Sequence, residues 1–189
     1  MGIYVTTRGG RMENWEWIVL AVAAAAVLML VLVLVRIRRR RAHLKNRFGP
    51  EYDRAVSGEG MGAAETRLSE AEREHDELDL RALPSAARDR FYEEWRQAEA
   101  RFVSDPRDAA RAAERLVERV LEERGYPNGD IERQLALVAV DHPDVVERYR
   151  RGRSMVEGDN SERTEELRKA MLDFRTVLED LLPAEPTSA

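Results

Sequence analysis

The sequence predicts an all-α protein in which one N-terminal transmembrane helix is followed by a cytoplasmic helical bundle of about five to six helices. Three observations predict it. Residues 18–35 are 18 consecutive positions without a charge or a proline. A cluster of arginines closes that run. Beyond residue 62, apolar residues recur at steps of three and four, the period of a helix face, with capping signals between the runs.

The apolar run reads IVLAVAAAAVLMLVLVLV. With Trp17 it spans about 28 Å as a helix, which matches the hydrocarbon core of a bilayer. A buried helix of a water-soluble core would show polar residues on one side, and this run shows none. A cleaved signal peptide would start basic and carry a shorter apolar stretch. Here Glu13 and Glu16 precede the run, and Arg36-Ile37-Arg38-Arg39-Arg40-Arg41 follows it as a stop-transfer flank. Positions 36–47 hold seven Arg or Lys and no acid, against Arg8 and Arg11 in the N-terminal tail. Basic residues resist translocation, so the expected topology is a single-pass plasma-membrane protein with its N-terminus outside and its C-terminus cytoplasmic. Trp15 and Trp17 are expected to anchor the outer interface. Arg36, Arg38, Arg39, Arg40, Arg41, Lys45 and Arg47 are expected to contact membrane lipids through anionic headgroups, at about 1 kcal/mol per basic residue near the surface, besides setting topology. The small-residue spacing of Ala21 and Ala25 is of a kind that alanine-rich membrane helices also produce by chance.

The expected organisation is a short outward-facing tail (1–14), the transmembrane helix (15–35), a basic juxtamembrane segment and flexible linker (36–62), the helical cytoplasmic domain (63–183) and a C-terminal tail (184–189). Seven basic and two acidic residues fall before position 42, which leaves 24 basic and 34 acidic residues for the rest. So acidic a domain, lacking a basic stripe interleaved with aromatics, argues against nucleic acid as a partner. There is no cysteine. Disulfides, thiolate metal sites and cysteine nucleophiles are excluded together.

Three glycines within residues 58–62 mark the flexible join. Leu68, Ala71, His75 and Leu78 share one face of a first domain helix that ends before Pro84. Phe91, Trp95, Ala98 and Phe102 stripe a second, which stops near Ser104. Asp105-Pro106 starts a third, because Asp caps free N–H groups and proline has none to leave unpaired. That helix carries Ala109, Ala113, Leu116, Val117, Val120 and Leu121, and it closes at Gly125 ahead of Pro127. After the Asn128-Gly129-Asp130 turn, residues 131–140 read as a short helix through Ile131, Leu135 and Val138, with a strand over 135–140 as the alternative. Asp141-His142-Pro143-Asp144 reads as a capped start for a helix running to about Met155, and Gly158-Asp159-Asn160 ends it. The last helix starts near Ser161 and presents Leu167, Met171, Phe174, Leu178 and Leu181, before Pro183. The heptad spacing permits self-association as a homo-oligomer, although intramolecular packing is the default.

Four blocks carry a family resemblance. They are Leu44-Lys45-x-Arg47-Phe48-Gly49-Pro50-Glu51-Tyr52-Asp53-Arg54; Arg101-Phe102-Val103 with Asp105-Pro106; Arg124-Gly125-Tyr126-Pro127; and Asp141-His142-Pro143-x-Val145-Val146-Glu147-x-Tyr149-Arg150. Together with Thr164-Glu165-Glu166-Leu167-Arg168-x-Ala170-Met171, they resemble an uncharacterised actinobacterial family of small single-pass membrane proteins. The resemblance covers about residues 44–182 and implies an anchor followed by a helical cytoplasmic region. It implies no activity, ligand or catalytic residue.

Glu72-x-x-His75 has the spacing of one half of a di-iron carboxylate site, but neither His43 nor His142 completes a second half. Asp141 and His142 put a carboxylate beside an imidazole, and the same residues serve as a helix cap. Ser154 and Ser161 have no histidine partner by spacing. The 58–62 glycines lack the lysine and the preceding strand of a phosphate-binding loop. Phe91, Trp95 and Phe102 read as core, with Tyr92 off their stripe. No catalytic, metal or cofactor-binding residue is therefore predicted. The expected role is a membrane-tethered helical interaction module for an unknown protein partner at the inner membrane surface. The alternatives are an enzyme with a carboxylate/His142 site in an inter-helix cleft, and a homo-oligomeric structural membrane protein.

Overall fold

The structure, a computed structural model, describes residues 14–158 and 164–182. The N-terminal tail with Arg8 and Arg11, the Asp159-Asn160 join, Ser161 and the tail from Pro183 lie outside the described residues. Those described form α1 (Asn14–Phe48), α2 (Pro50–Glu59), α3 (Met61–Asp76), α4 (Ser85–Arg101), α5 (Pro106–Glu123), α6 (Ile131–Val138), α7 (Pro143–Glu157) and α8 (Thr164–Leu181), with no strand among them. The chain divides into two compact units, Met1–Ala42 and His43–Ala189.

The first unit is the apolar part of α1, whose side chains from 17 through 42 are exposed throughout. The second unit is an all-α domain built on α5. Alanines 109, 110 and 113 with Leu116, Val117, Val120 and Leu121 put one face of α5 at or near zero exposure, and α4, α7 and α8 pack on it. Small residues in its first turns let its neighbours approach, and the branched residues beyond fill the centre, each worth about 1.5–3 kcal/mol when fully buried. Asp105 caps α5 by accepting from the Asp108 N–H at 3.0 Å, with Pro106 in its first turn. On α8, Leu167, Met171, Phe174, Leu178 and Leu181 are all buried, joined by Ala170 and Val177. Gly152 of α7 lets that helix sit against the Phe174 ring: a Cβ there would lie 2.9 Å from Phe174 Cε1.

Several local features differ from the sequence reading. The domain starts at His43 rather than residue 63; among the described residues its seven helices, α2–α8, come close to the five to six expected. Residues 50–59 are α2, and Leu44, Phe48, Tyr52 and Ala55 are buried in the core. Of the three glycines taken as a flexible join, Gly58 and Gly62 lie inside α2 and α3, and only Gly60 turns the chain, at φ +84°. Four buried apolar side chains outweigh the roughly 1 kcal/mol that each helical glycine costs. Helix α6 ends at Val138, and Ala139 and Val140 form a buried turn. At α7 the expected cap is absent: His142 occupies the N-cap position but no side chain caps the helix, because Asp141 faces other partners. Asp130, read only as part of a turn, caps α6 by accepting from the Glu132 and Arg133 N–H groups.

Candidate functional site

Over residues 18–35 the large apolar side chains of α1 are between 40% and 65% exposed, and none enters the domain core. Trp15 and Trp17, each 58% exposed, stand at one end of this stretch. Arg36, Arg38, Arg39, Arg40 and Arg41 stand at the other, exposed and on the same helix. Five guanidiniums over six helical positions point in several directions around the axis, each able to offer paired N–H donors to a phosphate or carboxylate. Lys45 and Arg47, grouped with them by sequence, belong to the second unit and meet carboxylates there. Lys45 Nζ lies 3.1 Å from Asp53 Oδ1. Arg47 is partly buried, with Nη2 3.4 Å from Asp141 Oδ1 and Nε 3.6 Å from Glu72 Oε1.

Those contacts open onto a polar cluster where the end of α1, α3 and the α6–α7 corner meet. His43 Nε2 is hydrogen-bonded to Glu72 Oε1 at 2.8 Å. His75 is buried, with Nε2 3.2 Å from Asp141 Oδ2 and Nδ1 3.8 Å from Asp76 Oδ1. Neither nitrogen makes a hydrogen bond, and the ring packs against Tyr126, ring centroids 6.5 Å apart. Burial pushes the Tyr126 phenol up from its ordinary value. His142 next door is half-buried, and its imidazole is pushed below its ordinary value first by burial and then by the Arg124 guanidinium. The carboxylate paired with His142 by sequence therefore serves His75 and Arg47. Of the two candidate serines, Ser154 donates its Oγ to the Arg151 carbonyl at 2.8 Å, and Ser161 is outside the described residues. Glu72 and His75 face different partners, and among the described residues no group of three or more His, Asp or Glu side chains is arranged to hold a metal.

A second ionic cluster links α2, α6 and α7. Arg150 grips Glu51 with two hydrogen bonds, Nε to Oε2 at 3.2 Å and Nη2 to Oε1 at 3.0 Å, and its Nη1 reaches Glu132 Oε1 at 2.9 Å. The Arg150 hydrogen bond holds the Glu132 carboxyl below the usual carboxylate range. On the other side of α7, the Tyr149 hydroxyl donates to Glu118 Oε1 at 2.7 Å. Sequence reasoning missed both pairs, since their members lie 99 and 31 positions apart. One signal was available for α2: Leu44, Phe48, Tyr52 and Ala55 are spaced by four, four and three, a helical stripe that runs across Gly49-Pro50.

Compared with protein-family models, with curated proteins and with solved structures, the chain matches none of them.

Proposed function

We propose that the chain is a single-pass membrane protein whose first unit spans the bilayer and whose acidic helical domain acts as an interaction module at the cytoplasmic surface. One observation carries this reading. A helix long and apolar enough to cross a membrane has every side chain of its apolar stretch outside the domain core. Left in water, such a surface would far exceed the few hundred Å² of contiguous apolar patch that soluble monomers tolerate, and a bilayer covers it along its whole length. The basic flank supports the orientation, with Arg36, Arg38, Arg39, Arg40 and Arg41 at the cytoplasmic headgroups and Trp15 and Trp17 at the outer interface. Tethering then raises the local concentration of the domain for partners at that surface.

Fractionation tests the anchor. The intact chain should remain in the membrane pellet through high-salt and alkaline carbonate washes and be released by detergent, and a C-terminal tag should resist protease added to whole cells. Recovery in the carbonate supernatant, or digestion of the tag in intact cells, overturns the reading.

A further inference from the structure

A groove of about 600 Å³ runs beside α5 in the second unit, flanked by the 128–131 turn, α6 and α7. Although the domain is acidic, this surface is rich in arginine: Arg115, Arg119 and Arg153 line it. Arg115 makes no hydrogen bond or ion pair within the described residues. Arg119 pairs with Glu94, and Arg153 with Glu157 at 2.9 Å and Glu114 at 3.6 Å. The Arg119–Glu94 and Arg153–Glu157 pairs reach solvent and contribute no more than about 1 kcal/mol each, so either arginine can exchange such a partner for a ligand carboxylate at little cost, while Glu114, 15% exposed, stays beside Arg153. The two lining carboxylates are already engaged, Glu118 by the Tyr149 hydroxyl and Glu122 by the Asn128 amide at 2.7 Å. Gln134 is the separate signal. It lines the groove, is only 4% exposed, and its side-chain amide makes no hydrogen bond among the described residues. Its amide atoms are not among the fully buried polar atoms left without a partner, so they meet water in the groove, and a ligand offering both a donor and an acceptor can take that water's place.

We propose that this groove is a docking site for an extended acidic peptide segment of a partner protein. A peptide group offers both a carbonyl and an N–H, the complement of the Gln134 amide, while acidic side chains on either side of it meet Arg115 and Arg119 or Arg153. Glu118 and Glu122 decide between a peptide and a phosphate polymer. Carboxylates separated by neutral residues can register on the arginines and pass the glutamates, whereas a phosphodiester carries charge at every unit. The groove volume falls within the range of sites that enclose a few residues or a small ligand. The proposal rests on the reading of the domain as an interaction module and names the chemistry of its partner.

The test is fluorescence anisotropy with a labelled peptide of alternating glutamate and alanine, titrated with the detergent-solubilised full chain. Saturable binding that weakens with added salt is expected. Arg115→Glu, on an exposed side chain, should weaken it by about tenfold or more. Gln134→Leu should weaken it severalfold while leaving the helical circular dichroism unchanged, and Arg168→Glu, on α8 away from the groove, should leave it as it was. Three results overturn the proposal: no saturable binding; equal losses from Arg115→Glu and Arg168→Glu, which would reduce the effect to net charge; or short polyphosphate binding more tightly with the same dependence on Arg115 and Gln134. Each leaves the membrane anchor standing, because fractionation of the same chain reads the anchor independently.

Discussion

Replacing Arg150 by methionine strands the Glu51 carboxylate in the wall of the domain. The Glu51 side chain is 5% exposed and that of Arg150 11%, so water can replace little of what the two lost hydrogen bonds supplied. Removing one partner of a buried pair costs about 3–5 kcal/mol, and the residual exposure places this one near the lower end. Glu132 adds little to the sum, since its side chain is 63% exposed and can return to solvent. For a chain of this length about 3 kcal/mol corresponds to a fall in Tm of roughly 10 °C. Far-ultraviolet circular dichroism of the detergent-solubilised full chain during heating would measure it. The double variant Glu51→Leu/Arg150→Met removes both charges and fills the site with apolar atoms, so it should recover to within about 1 kcal/mol of the native chain. A single variant that melts within about 3 °C of the native chain, or a double variant no better than the single, would refute the claim that α2 is fastened to α7 through a desolvated ion pair.

Gly152→Ala sets two effects against each other. Alanine favours the helix by about 1 kcal/mol, but its Cβ would stand 2.9 Å from Phe174 Cε1 and 3.0 Å from Cζ, on a ring with no exposed surface to move into. Overpacking costs about 1–3 kcal/mol, so the urea midpoint should fall, and Phe174→Leu should partly restore it; a raised midpoint would mean a looser α7–α8 contact. For His142, burial depresses the folded-state imidazole below its ordinary value of 6.5, so between the two values the unfolded chain binds more protons. The stabilisation is full above about pH 6.5 and is lost as pH falls through the folded value. Tm should therefore drop on acidification in that window, and His142→Gln should flatten the drop; an unchanged slope would show that the ring is solvated.

What could be read in advance was whatever is written in consecutive residues. Asp105-Pro106 starts α5 because its acceptor and the missing N–H are adjacent, and Leu167 through Leu181 reveal α8 because one helix face repeats locally. Residues 57–62 misled because glycine content reports backbone freedom in the unfolded chain, whereas the fold of that stretch is decided by Leu44, Phe48, Tyr52 and Ala55 finding the core. The same limit applies to polar residues. Asp141, two residues ahead of Pro143, has the form of a cap, but an oxygen close to His75 and Arg47 is drawn to them, and nothing near position 141 indicates where those two will be. Gln134 carries no signal in the sequence, and only its burial beside an arginine-lined groove gives it a role.

Because Leu44 and Phe48 are 1% and 0% exposed, residues 43–62 cannot be cut away without opening the domain core. A recombinant fragment trimmed to residue 63, the border that glycine content suggests, would discard the plug formed by Leu44, Phe48, Tyr52 and Ala55 and present their greasy sockets to water, inviting clumping that has nothing to do with the native protein. Trimming just ahead of His43 keeps that plug, and a protease that nicks near Gly60 would leave both pieces still clasped through Glu51 and Arg150.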